Sequence, residues 1–400
     1  MLFEPGRHER LLAAEWDAQH VRAAISAITR YIEEAFQPDA FWPTHPLDAK
    51  TGAPAISHKS LYLGAAGILW ALWYLERAGA AQLRIEPSAL IGAVDAAYQA
   101  EPDTGAVVPS YFLGEAGILL ISWRLTGSRA AADRLWNSIE SNIENPTNEA
   151  LWGAPGTMMA AWHMHRWTGE PRWRDLFLAN VDPLWRGWSR SDSGGCDLWT
   201  QDLYGKVRQF LGAGHGFAGN ILPLLSGAAL LPEERREQLF DRCAETLLAT
   251  AVEEQGGANW GPTIDLRASR MLLQWCHGAP GMVTSLRDYP TGRSAALDAL
   301  LLKAGETAWQ AGPLEKGFGL CHGTAGNGYA FLTLYRRTGN PIWLERARSF
   351  AMHALGQSER MRQSHGLGRY TLWTGDPGLA VYLWHCLAGE DGMPGLDRLD

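Results

Sequence analysis

Seven times along the chain a run of apolar residues begins at a Gly-x-x-Gly step, and charged, amphipathic stretches lie between the runs. Segments such as ILWALWYL, ILLISWRL and YAFLTLYRR are hydrophobic on nearly all sides, which predicts helices buried from every direction. The intervening stretches 232–252 and 341–357 place apolar residues at helical spacing on one face only, which predicts helices packed on an outer layer. A further helix is predicted around 16–36, followed by a proline-rich connector from Phe36-Gln37-Pro38 to His45-Pro46-Leu47.

The steps are Gly64/Gly67, Gly114/Gly117, Gly153/Gly156, Gly216/Gly219, Gly278/Gly281, Gly323/Gly326 and Gly375/Gly378, at intervals of 50, 39, 63, 62, 45 and 52 residues. Such recurrence marks a repeat architecture, and the longer intervals mark insertions on one face. Each repeat reads as an outer amphipathic helix followed by an inner apolar one. Glycine at the head of every inner helix lets backbones approach near a crowded axis, and neither the first nor the last copy is polar, as the caps of an open solenoid need to be. The expected fold is all-α, an (α/α)7 toroid or barrel of seven inner and seven outer helices, with residues 1–400 as a single domain. The insertion 183–210, rich in Trp, Ser and Gly, reads as a hairpin or lid over the ring.

Composition narrows the partners. Hydrophobic residues make up 46% of the chain and charged residues 20%, as in an ordinary globular protein with a large core. The net charge of -8 and the scattered Lys and Arg residues give no footprint for nucleic acid. The N-terminal stretch carries Glu4, Arg7, Glu9 and Arg10 with no continuous apolar region, so it does not read as a signal peptide. The longest apolar stretch, 61–75, is interrupted by Gly64 and Gly67 and falls short of a membrane span. A cytoplasmic location is expected. Five cysteines are too few and too unevenly spaced for a disulfide framework, and read as thiols in a reducing compartment.

Aligning the repeats exposes the chemistry. The residue before the first glycine is Leu63, Leu113, Trp152, His215, His277, His322 and Thr374 in turn; the one before that is Tyr62, Phe112, Leu151, Gly214, Cys276, Cys321 and Trp373. In a closed ring these positions share one rim, and the metal-competent residues fall only in adjacent repeats four, five and six. Two thiols with imidazoles suit Zn2+, held by Cys276, Cys321 and one or both of His277 and His322. With both histidines bound the centre is closed and structural; with one, a fourth position stays open for water or substrate. Inner-helix N-termini converging on the rim are expected to offer unpaired N–H groups and partial positive charge to anions and thiolates. Two thiolate ligands blunt the Lewis acidity of zinc and leave a third, bound sulfur nucleophilic, which favours thiol addition over hydrolysis. His215 is placed to move a proton beside the metal. Glu149 is placed to orient a histidine or a substrate amide, and Lys316 to stabilise a thiolate or bind a carboxylate.

Through QWCHGAPG (274–281), GLCHGTAGNGYAFL (319–332) and FLGAGHGFAG (210–219), the chain resembles the lanthionine synthetase C-like proteins over nearly its whole length. The resemblance implies a fold of seven inner and seven outer helices, zinc ligands Cys276, Cys321 and His322, and His215 as the acid/base residue. His277 is then not a ligand, and it is counted with Lys316 among the expected substrate-binding residues. WCHGAPG, and Lys316 in EKGFGLCHG, look like the eukaryotic-type branch, for which the resemblance implies addition of glutathione to dehydroalanine or dehydrobutyrine in proteins. Glu149 is the nearest match to an aspartate that the bacterial cyclases carry, while Arg362 and Arg369 are both possible matches to an upstream arginine. The last repeat lacks the acidic residue expected before its first glycine.

The expected function is therefore zinc-dependent Michael addition of a thiol, glutathione or a cysteine-bearing peptide, to a dehydroamino acid in a peptide or protein. Alternatives are a lanthipeptide cyclase closing intramolecular thioether rings, and a non-catalytic glutathione- or peptide-binding scaffold with structural zinc. Other α/α toroid enzymes fit less well: glycosidases need a pair of carboxylates across a sugar cleft, which the rim does not supply, and prenyl transferases typically use an aspartate ligand.

Overall fold

A computed structural model describes residues 1–49, 57–266 and 271–400. Among the described residues, fourteen α-helices alternate between two layers. Outer α1 (Ala18–Glu34) precedes inner α2 (Ala65–Arg77). Outer α3 (Pro87–Ala100) and inner α4 (Glu115–Thr126) follow, then α5 (Arg129–Ser141), α6 (Ala154–Thr168), α7 (Pro171–Gly187) and α8 (Phe217–Ser226). The series ends with α9 (Glu233–Thr250), α10 (Ala279–Ser285), α11 (Ala295–Ala311), α12 (Thr324–Thr338), α13 (Pro341–His365) and α14 (Asp376–Ala388). Even-numbered helices are inner. Each inner helix touches the next, and α14 touches α2, so the inner layer is a closed ring. Outer helix α1 packs chiefly on α14, the last inner helix, and so joins the two ends of the chain.

The second glycine of each step makes this ring possible. A Cβ on Gly67 would lie 2.8 Å from the Leu372 Cβ, and one on Gly117 would lie 2.9 Å from the Leu61 Cβ. The relation passes round the whole circle: Gly156 meets Tyr111, Gly219 meets Ala150, Gly281 meets Ala213, Gly326 meets Trp275 and Gly378 meets Leu320. In every case the neighbour is the residue three positions before the first glycine of the preceding repeat, and the contact from Gly67 to Leu372 closes the loop. The outer layer is built differently. Helices α1, α3, α5, α11 and α13 start on side-chain caps from Asp17, Glu86, Ser128, Ser294 and Asn340, whereas all seven inner helices start on glycine with no side-chain cap.

Six of those inner N-termini are not open donors. The first N–H of α2, α4, α8, α12 and α14 donates to a carbonyl seven residues upstream, as from Phe217 to Phe210 at 3.0 Å and from Thr324 to Gly317 at 2.8 Å. That of α10, Ala279, donates to the Asn259 Oδ1 at 2.7 Å. The expectation of unpaired rim N–H groups is corrected at these six helices: in five the loop leading into the helix folds back over its end and supplies the acceptor, and in α10 the Asn259 side chain does.

The insertion 183–210 finishes α7 and then forms two antiparallel hairpins, β1 (Ser189–Arg190) with β2 (Asp197–Leu198), and β3 (Gln201–Leu203) with β4 (Lys206–Arg208). A third hairpin joins β5 (Val252–Glu254) and β6 (Gly257–Asn259). No helix among the described residues is long and apolar enough to cross a membrane.

Candidate active site at the rim

Backbone hydrogen bonds between repeats tie the rim together. Trp373 N–H donates to the Tyr62 carbonyl at 3.2 Å, Cys321 N–H to the Trp373 carbonyl at 2.9 Å, Cys276 N–H to the Cys321 carbonyl at 3.1 Å, and Gly214 N–H to the Cys276 carbonyl at 3.1 Å. All of these are the residue two before the first glycine. The rim is thus a chain of like positions bonded to like, and the two cysteines are consecutive links. Beneath it Trp373 stacks on Tyr62, with ring centroids 5.8 Å apart, and lies 4.6 Å from Trp275, which closes the axis with aromatic surface.

On this frame the ligand atoms of Cys276, Cys321 and His322 all lie within 4.8 Å of one another. Both cysteines are buried and His322 is half-buried. A tetrahedral site with metal–sulfur bonds of about 2.3 Å and metal–nitrogen bonds of about 2.0 Å has edges of roughly 3.5–3.8 Å, so small side-chain rotations bring this set onto an ion. The neighbours suit thiolates as well. Gln274 Nε2 donates to the Cys276 Sγ at 3.0 Å, and the Tyr62 phenol hydrogen-bonds the Cys321 thiol. A hydrogen bond from Cys321 pulls the Cys276 thiol well below its usual value, and the same bond, with burial, pushes Cys321 up. The two thiols are thus linked by one hydrogen bond, with Lys316 and Tyr62 both favouring charge on Cys321.

His277 sits outside this cluster. Its backbone bridges to Gln274, and its ring is 6.0 Å from the ring of His215. His215 Nδ1 meets the Glu149 Oε2 at 2.9 Å. Glu149 is fully buried and also accepts from the backbone N–H groups of Leu151 and Trp152, at 2.9 and 2.6 Å. It is a fixed acceptor, not a solvated loop carboxylate. Burial by itself would lower the His215 pKa, but the hydrogen bond and charge of Glu149, with the Cys276 thiolate beyond, raise it above 6.5. Lys316 is exposed, in the loop between α11 and α12. The N-terminal segment steadies that loop, since Glu315 N–H donates to the Arg7 carbonyl at 3.0 Å and His8 pairs with Leu314.

The two candidate arginines are held differently. Arg369 is buried and engages Asp48, with Nε donating to Oδ2 at 2.7 Å. Arg362 lies over the Tyr31 ring, 5.3 Å from its centroid. Asp48, just after the N-terminal connector, accepts from the hydroxyl of Thr374, the residue before the first glycine of the last repeat, at 3.1 Å. Sequence reasoning also passed over Tyr62 and Gln274. Tyr62 carried a signal, because it occupies the same register position as the two cysteines; Gln274 carried none.

The lanthionine synthetase C-like protein model matches residues 55–395. The chain belongs to the lanthionine synthetase C-like family. It is 35% identical over 147 residues to the glutathione S-transferase LANCL1 of Danio rerio, covering 36% of this chain and 35% of that protein. It is 31% identical over 212 residues to the LanC-like protein GCL1 of Arabidopsis thaliana, covering 51% of this chain and 46% of that one. The chain thus spans less than half the length of either relative. Nisin cyclase has the same fold, with a TM-score of 0.63 at 16% identity over 92% of this chain and 94% of the cyclase. For a lanthionine synthetase C-like protein the cluster of Cys276, Cys321 and His322, beside a histidine backed by a buried carboxylate, is the candidate active site.

Proposed function

We propose that this protein adds a thiol, in the first instance glutathione, across the double bond of a dehydroalanine or dehydrobutyrine residue in a polypeptide. The observation that carries the reading is the juxtaposition of a three-ligand sulfur and nitrogen cluster, Cys276, Cys321 and His322, with the His215–Glu149 pair. Zinc is the proposed ion, and when bound it supplies a thiol held as thiolate at neutral pH. The remaining work falls to the chain. Cys276 and Cys321 hold the ion with their charge, Gln274 and Tyr62 keep those sulfurs oriented by hydrogen bonds, and His322 provides the third donor.

In the reaction the thiol sulfur bonds to the β-carbon, the C=C π pair moves to the α-carbon and its carbonyl, and a proton completes the α-carbon. His215, with its pKa raised by Glu149, keeps that proton to higher pH than a free imidazole would and is made whole by the proton the thiol gives up. Glu149 keeps the imidazole pointed, and its own backbone bonds keep it from turning away. Lys316 favours charge on Cys321 and is placed to meet a carboxylate of the thiol substrate; His277 lines the space beside His215. The name of the Danio rerio relative supports glutathione as the thiol. A cytoplasmic location, where that thiol and reduced cysteines coexist, completes the proposal.

The test is to incubate the zinc-loaded protein with glutathione and a dehydroalanine peptide and to follow the mass of the peptide. Glutathione adduct formed faster than without protein is the expected result. No acceleration would refute the reading. A peptide carrying both a cysteine and a dehydroalanine separates the alternative: ring closure in preference to glutathione addition would make the protein a cyclase.

A further inference from the structure

The hairpin of β3 and β4 turns at Tyr204-Gly205, and its tip reaches back over the rim. Tyr204 holds a left-handed backbone conformation, with φ of 54°, which costs a tyrosine energy and persists where surrounding contacts hold it. One such contact comes from the rim. Trp152 occupies the register position that is histidine in the next three repeats, and its indole Nε1 donates to the Tyr204 hydroxyl at 2.9 Å. The Tyr204 ring then stands edge-on to His215, 6.0 Å between centroids at 85°. Glu149 closes the circuit, bonding the backbone of Trp152 and the imidazole of His215 with the same carboxylate. The indole, the hairpin tip and the acid/base histidine are one assembly.

This assembly leaves a large aromatic surface bare: Tyr204 is 68% exposed, and Val207 on the adjacent strand 64%. Both belong to the short list of large apolar side chains that the protein leaves in water. If the α-carbon of the electrophile must reach His215, the polypeptide on either side of it passes under Tyr204 and Trp152. The thiol side of the site, Cys321 and Lys316, belongs to a different repeat.

We infer that Tyr204 and Trp152 select the electrophilic substrate: they bind the residue flanking the dehydroamino acid and favour an apolar or aromatic side chain there. The inference rests on the proposed thiol addition for the identity of that substrate. It assigns acceptor specificity to the hairpin and leaves thiol recognition to the repeat that carries Cys321 and Lys316.

The experiment compares the wild type with Tyr204→Ala in the zinc-loaded protein, using three acceptors: N-acetyl-dehydroalanine methyl ester, and dehydroalanine peptides with phenylalanine or with aspartate beside the reactive residue. Loss of the aromatic face should raise KM for the phenylalanine peptide about fivefold to tenfold. KM for glutathione and bound zinc should not change, and kcat/KM for the small ester should fall much less than that for the phenylalanine peptide. Tyr204→Phe, which keeps the ring and drops the hydroxyl held by Trp152, should fall between. An equal loss on ester and peptide would overturn the inference and make Tyr204 a prop for His215; so would no loss on any acceptor, or no preference of the wild type for phenylalanine over aspartate. A fourth measurement separates the two levels. Anisotropy of a labelled peptide with alanine in place of dehydroalanine reports acceptor binding without reaction. Weakened binding in Tyr204→Ala supports the assignment even if the wild type adds no thiol, a result that would sink only the catalytic reading; equal binding in both proteins counts against Tyr204 whatever the activity.

Discussion

The Cys276 N–H donates to the Cys321 carbonyl at 3.1 Å, so the two thiols proposed to hold the metal are joined through the backbone before any ion arrives. The bond links equivalent positions of adjacent repeats, and the inner helices behind it meet through glycines that abut carbon atoms of Leu, Tyr, Ala and Trp side chains round the whole ring. The metal is therefore expected to be dispensable for the fold. Cys321→Ala should lower zinc affinity by more than about 100-fold, because loss of a ligand exceeds the 10–100-fold typical of losing an outer hydrogen bond. Helical circular dichroism should stay at the wild-type level. Collapse of the helical signal on removing zinc or on this substitution would instead make the centre structural.

Ring closure depends on the absence of a methyl group. Gly326→Ala would drive a Cβ onto the Leu320 carbonyl and to 3.2 Å from the Trp275 Cβ, with backbone on one side and a packed indole on the other. Overpacking of this kind costs about 1–3 kcal/mol. Gly92, in the exposed middle of α3 with nothing within 4 Å of a Cβ, is the control. Gly92→Ala should stabilise by about 0.5–1 kcal/mol through helix propensity. Opposite shifts in the midpoint of denaturant unfolding are the expected outcome, and equal shifts would remove the role given to the second glycine.

The pH dependence follows from the raised pKa of His215. An acid that must carry a proton works below its pKa, so kcat should fall as pH rises through the raised value. Glu149→Gln removes the charge that does the raising and should move that limb to lower pH, with a titration of the His215 ring by NMR shifting in the same sense. The stability sign agrees: the interaction strengthens folding fully below the unfolded value of 6.5 and fades as pH rises through the higher folded value. His215→Ala should reduce kcat by about 10²–10⁴. A limb that stays in place in Glu149→Gln would remove Glu149 from the mechanism.

Asp48 and Arg369 form a buried pair, with 4% and 8% of their side chains exposed. Asp48→Ala strands the guanidinium and should cost about 3–5 kcal/mol. Asp48→Ala with Arg369→Met removes both charges and should recover most of that loss in thermal unfolding. If the single variant is as stable as the wild type, Arg369 has another partner, and its availability to a substrate carboxylate reopens.

The repeat, its two layers and the residues of the rim could be read in the chain because each depends on a local regularity. A helix buried on all sides must be apolar throughout, a helix start pressed against its neighbour must be glycine, and equivalent places in a ring must recur at equivalent places in sequence. That logic singled out Cys276, Cys321, His322 and His215, since their register differs from that of the other repeats only in chemistry. Glu149 was legible as a carboxylate near the third step that could orient a histidine or a substrate amide, but not which. Its burial, its grip on the His215 ring 66 residues away and the consequent lift in the histidine's pKa arise from packing alone. The same is true of Tyr62 at Cys321, of Asp48 at Thr374 across 326 residues and of the hairpin tip laid over His215. Periodicity records which face of an element is dry; which distant side chain meets it is decided when the ring closes and the insertions settle on its rim.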